Sequence, residues 1–223
     1  MSGSRRRATE RTGVLFAVTA VLAGGLAGFL FGAATIGMVR EQLHLSCSMG
    51  PPGGEGADTW TCADGIGYLG VAVVLGLMWF VAVVAGGLVA LLVRADRIAR
   101  VCLVILAAAS VAWILAWTRY GSATLVGDEY APMSGLGYWN QAVGPAAIAA
   151  IVGTIAAAGS VATTGWTSRI LEIAAPVALI VAIVLQPGLM VNLAPATGLL
   201  VASAARGSDP TTPSLRPRGV ALS

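Results

Sequence analysis

Apolar residues run through this chain in long blocks, separated by short charged clusters. No charge occurs in residues 12–39, 65–93, 101–118, 130–168 or 173–205, stretches of 28, 29, 18, 39 and 33 residues. A helix needs about 20 apolar residues to cross a bilayer, so each block is long enough, or nearly so, for a span. The blocks predict a first span over 14–38, a second within 65–93, a third over 101–118 and a fourth over about 142–162. The first run has 25 apolar-dominated residues, whereas a signal-peptide core has about 7–15, so it reads as an uncleaved span.

The last block poses a length problem. Its 33 residues make about 50 Å of helix at 1.5 Å per residue, too much for one crossing of about 30 Å and little for two. Pro187-Gly188 lies near its midpoint, where Pro interrupts the hydrogen-bond ladder and Gly permits a tight reversal. Two short spans, 169–185 and 189–205, then give six in all. Arginine chooses between the counts, because Lys and Arg accumulate on the cytoplasmic side. Six spans divide the thirteen arginines 11 to 2, and five divide them 8 to 5. The expected fold class is therefore all-α, a polytopic transmembrane helical bundle of five or six spans, six favoured. A basic N-terminus (1–13) lies inside, and a transmembrane domain (14–205) carries outer loops at about 40–65 and 119–141. A disordered Arg/Pro-rich tail (206–223) follows, its composition too polar for a core.

Composition sharpens this picture. Of 223 residues, 57% are hydrophobic and 10% charged, against about 25% charged in soluble domains. A soluble enzyme, a secreted domain and a nucleic-acid binder are excluded as main readings. The expected partners are the lipid bilayer, other membrane proteins or a second copy of the chain. All thirteen basic residues are Arg and none is Lys, a bias that points to a bacterial plasma membrane.

Small residues at i, i+4 let membrane helices approach closely. Ala20, Gly24, Gly28 and Gly32 form the clearest such stripe and are expected to pack a helix. Ala108-Ala112-Ala116 and Ala146-Ala150-Thr154-Ala158-Ala162 repeat the pattern in the third and fourth spans.

Candidate chemistry is sparse. Cys47 and Cys62 share the first outer loop around Pro51-Pro52-Gly53-Gly54. A disulfide is expected between them, since it would persist in an oxidising compartment. Cys102 lies in the third span and is expected to be a buried free thiol. No Cys-x-x-Cys, His-Glu-x-x-His, Gly-x-Ser-x-Gly or phosphate-binding loop occurs, so no catalysis, cofactor or metal is expected. The single His44 is expected to be solvated. Glu172, three residues after Arg169, is expected to pair with it. Gln186 and Asn192 flank the Pro-Gly break at membrane depth and are candidates for a substrate or ion path. Asp128, Glu129, Tyr138 and Trp139 are candidates for binding at the outer face. The function expected is a non-catalytic accessory or structural membrane component acting through its outer loops or packing surfaces. The alternative is a small transporter or channel subunit with its pathway near Gln186 and Asn192.

Overall fold

The structure, a computed structural model, describes residues 2–54, 57–127 and 129–207. It is almost entirely helical. Six helices are long and apolar enough to cross a membrane: Thr12–Leu30 within α1 (Ser2–Leu30), α3 (Leu69–Leu92), α4 (Asp96–Thr124), α6 (Gly144–Ala162), α7 (Trp166–Leu185) and Pro187–Gly207, which includes α8 (Met190–Gly207). Two short helices, α2 (Ala33–Gly37) and α5 (Gly135–Ala142), belong to a cap at one end of the bundle. The arginine cluster Arg94, Arg97 and Arg100 marks the other end.

α8 is the centre of the bundle. Of its span 72% is buried, against 22–39% for each of the other five, and α1, α3, α4 and α7 all pack on it. It is also the least apolar of the six. The outer helices turn large apolar side chains away from the molecule, among them Leu22, Leu26 and Phe29 of α1, Leu77 and Phe80 of α3, and Ile173 and Ile180 of α7.

Backbone contact holds α1 on α8. A Cβ at Gly24 would stand 2.5 Å from the Ala194 carbonyl oxygen, and one at Gly28 2.8 Å from the Val191 oxygen. From the other side, a Cβ at Gly198 would stand 2.5 Å from the Ala20 oxygen. Lipid supplies no hydrophobic drive for helix association, so this close approach supplies packing in its place. The stripe does not continue to Gly32. The helix turns at Phe31-Gly32, and a Cβ at Gly32 would meet only the Phe29 and Gly28 carbonyls of its own turn. On α3, Trp79 Nε1 donates to the Gly25 oxygen at 2.9 Å, and a Cβ at Gly86 would run into the Leu199 side chain.

The other two alanine stripes are not packing faces throughout. In α4 the buried line is Leu103, Ala107, Ser110, Ile114 and Thr118, while Ala112 and Ala116 are exposed. In α6 it is Ala146, Ala150, Gly153, Ala157 and Ser160, while Ala158 and Ala162 are exposed. A helix turns every 3.6 residues, so a strict step of four drifts off any one face.

Boundaries also shift from the sequence pattern. The block 14–38 is not one helix: past the turn it becomes α2 and a wide-turn π segment, Met38–Gln42, that enters the cap. There Met38, Val39, Leu43 and Leu45 are buried. α4 runs well beyond 101–118 at both ends and takes Arg100 and Arg119 into the helix. α8 reaches Gly207, so Arg206 belongs to the bundle and not to a tail, while the rest of the expected tail lies outside the described residues.

Candidate functional site

The cap joins the two loops between spans. β1 (Cys47–Met49) pairs antiparallel with β2 (Trp60–Cys62) and parallel with β3 (Val126–Gly127), giving the order β2-β1-β3. Cys47 stands directly across from Cys62, their Cα atoms 3.9 Å apart, and a disulfide joins them. Closing a loop of about 15 residues contributes roughly 3 kcal/mol in the chain-entropy view. The Ser46 amide donates to the Leu125 oxygen at 2.7 Å, and Gly127 lies so close to Ser48 that a Cβ there would be 3.0 Å from the Ser48 Cβ. The Tyr68 hydroxyl, at the entry to α3, donates to the Leu45 oxygen at 2.9 Å.

His44 is half-buried and not free in solvent as expected. Its ring stacks on Trp60 at 4.2 Å and 7°, and the Tyr138 ring meets it edge-on at 4.9 Å. Burial pushes its imidazole below the ordinary 6.5, with the Arg40 backbone pulling less strongly the other way. The cluster ties the first loop to α5. Of the residues expected at the outer face, Tyr138 belongs to this cluster, and Trp139 is buried in the wall. Its Nε1 donates to Thr118 Oγ1 at 3.0 Å, and the Arg119 guanidinium lies 5.3 Å over its ring. Trp139 therefore braces α5 against α4 and offers no free binding face. Glu129 is exposed, with Tyr130 hydrogen-bonded to it and its phenol raised by that carboxylate. Asp128 lies outside the described residues.

Gln186 and Asn192 behave oppositely. Gln186 sits at the break before Pro187 and fastens the cap: its Nε2 donates to Gln42 Oε1 at 2.6 Å and to the Ala142 oxygen at 2.9 Å. Its Oε1 accepts from the Gly188 amide at 3.3 Å, capping the short turn Pro187–Leu189. Gly188 is pressed on the Met38 side chain, where a Cβ would clash. Both ends of its amide are engaged, so Gln186 clamps the cap. Asn192 is fully buried, and neither its Oδ1 nor its Nδ2 has a hydrogen-bond partner among the described residues. Its backbone oxygen accepts from Ser110 Oγ at 3.0 Å. Burying such a group without a partner costs about 1–3 kcal/mol.

The arginine end is locked by ion pairs between distant elements. Glu172 of α7 pairs with Arg100 of α4 and not with Arg169, and Ser168 Oγ donates to the same carboxylate at 3.3 Å. Arg206 of α8 reaches the α3–α4 turn, where it pairs with Asp96 at 2.9 Å and donates to the Ala90 and Val93 oxygens at 2.9 and 2.7 Å. These are carbonyls that the C-terminus of α3 leaves unpaired. Cys102 is a half-buried free thiol. No group of three or more metal-ligating residues occurs among the described residues.

The residues missed by the sequence pattern are the partners: Gln42, Trp60, Ser110, Arg100 and Arg206. A conspicuous residue such as Gln186 or Glu172 showed itself, but which group 144 or 72 positions away would meet it did not.

Five apolar-faced helices and a less apolar, mostly enclosed sixth, each long enough to span, define an integral multi-pass membrane protein. Comparison with known protein families, curated proteins and solved structures finds no match to this chain.

Proposed function

We propose that the chain is a non-catalytic component of a bacterial plasma membrane, whose cap faces outward and is its working surface. The observation that carries this reading is the cap itself. Two loops 60 or more residues apart are built into one small module by a disulfide, a mixed sheet and the His44–Trp60–Tyr138 cluster. A connecting loop needs none of this; a surface held in one shape for a partner does. The disulfide suits an oxidising compartment, and the arginine cluster at the opposite end suits the cytoplasm. The N-terminus is then cytoplasmic, as is the end of α8.

The occupied state of Gln186 supports the same reading, since the residue most exposed to suspicion as a pathway group is spent on closing the cap. Asn192 favours the transporter reading instead, as a polar group held deep in the bundle. Purified protein in sealed vesicles separates the two. The proposed role predicts no leak and no uptake of ions or small solutes above protein-free vesicles. Saturable uptake lost in Asn192→Leu would overturn it.

A further inference from the structure

The arginine end carries more positive charge than the protein neutralises. Beyond α1, its charged residues are Arg94, Arg97, Arg100, Arg169 and Arg206 against Asp96 and Glu172. Both acids are spent, Glu172 on Arg100 and Asp96 on Arg206. That leaves Arg94, Arg97 and Arg169, all exposed and none in an ion pair among the described residues.

The fold places two of these three at one level. α4 and α7 both begin at this end, and the Arg100–Glu172 pair bridges them. Arg97 lies three residues before Arg100, and Arg169 three before Glu172. Each therefore stands about 4.5 Å nearer the membrane surface than the pair, along its own helix.

The surroundings are those of a lipid and not of a soluble anion. Trp166, Ile170, Ile173, Val177 and Ile180 of α7 form one stripe at steps of three and four residues, and all are at least half exposed. On a spanning helix such a face lies against acyl chains. Trp166 is the first residue of that span and is 76% exposed, where an indole sits at headgroup level. Arg169 follows three residues later, and a long side chain there leans toward the helix N-terminus and reaches the same level. Guanidinium groups match phosphate with paired N–H donors.

We infer that Arg97, Arg169 and Trp166 form a docking site for an anionic phospholipid of the surrounding bilayer. The two guanidinium groups take its phosphate, and an acyl chain lies along the Ile170–Ile180 face. This holds whichever compartment that end faces, and it stands apart from the role of the cap.

Native mass spectrometry of the full chain in mild detergent tests it, with equal amounts of phosphatidylglycerol and phosphatidylcholine of the same acyl chains. The native protein should retain phosphatidylglycerol over phosphatidylcholine. Arg97→Gln and Arg169→Gln should each lower phosphatidylglycerol retention about fivefold, the weight of one arginine near an anionic surface, and leave phosphatidylcholine unchanged. Arg40→Gln, exposed at the opposite end, should change neither. Equal retention of the two lipids by the native protein overturns the proposal. So does a preference that survives Arg97→Gln and Arg169→Gln combined, or one that Arg40→Gln lowers as much. Inorganic phosphate at the same concentration should not displace phosphatidylglycerol; displacement would mean a site for free phosphate and would overturn the lipid assignment.

Discussion

At the scale of single residues, glycine and histidine carry the most informative tests. Gly24 and Gly28 are placed where any side chain would drive into the backbone of α8, while Gly32 is not. Overpacking typically costs about 1–3 kcal/mol. Gly28→Leu is expected to cost at least that much and to lower the unfolding temperature in mild detergent, whereas Gly32→Leu should change it little. Equal losses from both substitutions would contradict the α1–α8 contact. His44 gives a pH test with a definite sign. Its imidazole is held below the ordinary 6.5 by burial between Trp60 and Tyr138. Folding therefore favours the neutral ring, so its stabilisation is complete above about 6.5 and is lost as pH falls towards the lower folded value. The unfolding temperature should drop between pH 7.5 and 5, and His44→Gln should flatten that drop. An unfolding temperature that rises over the same interval in the native protein, with the rise lost in His44→Gln, would mean that the ring is stabilised charged.

At the scale of elements, what the sequence revealed depended on how local the signal was. Charge-free blocks and the Pro187-Gly188 break are local, and they point to six spans; the last two, expected to be short at 169–185 and 189–205, are of full length, 20 and 21 residues, because each takes in residues beyond those bounds. The π segment after Gly37 and the long ends of α4 were hidden, because residues such as Met38 and Arg119 were read as span and loop when their environment is the cap. The glycine stripe was legible only in part. Its step of four follows α1 from Ala20 to Gly28 but not through the turn at Phe31-Gly32. In α4 and α6 the same step picked alanines that rotate out to the exposed face. Glu172 shows the limit most clearly: the neighbour at i−3 was visible, while the actual partner, Arg100, lies on another helix. Arg100→Ala and Glu172→Ala should each destabilise by about 1–3 kcal/mol, the range for leaving a buried polar partner unpaired. The double substitution should then cost less than the sum. Arg169→Ala should stay within about 0.5 kcal/mol, as surface changes do. A strictly additive double variant would show that the pair contributes nothing.

At the scale of the molecule, the arrangement inverts a common expectation that the most apolar helix sits at the centre. Lipid is itself apolar, so apolar helices lose nothing by facing it. The helix with Asn192, Thr197 and Ser203 is the one that gains by being enclosed. Enclosure explains why α8 can be weakly apolar, the property that makes it hard to recognise as a span. It also explains the clamps at both of its ends, Gln186 on the cap and Arg206 on the α3–α4 turn. An α8 that crosses the membrane places the end of the chain on the same side as its start, with the cap opposite. A reporter fused after Ser223 tests this most directly. Paired fusions to a fluorescent protein that folds only in the cytoplasm and to a phosphatase active only outside it should give fluorescence without phosphatase activity. Phosphatase activity without fluorescence would contradict the account, since α8 could not then span the membrane with the N-terminus inside.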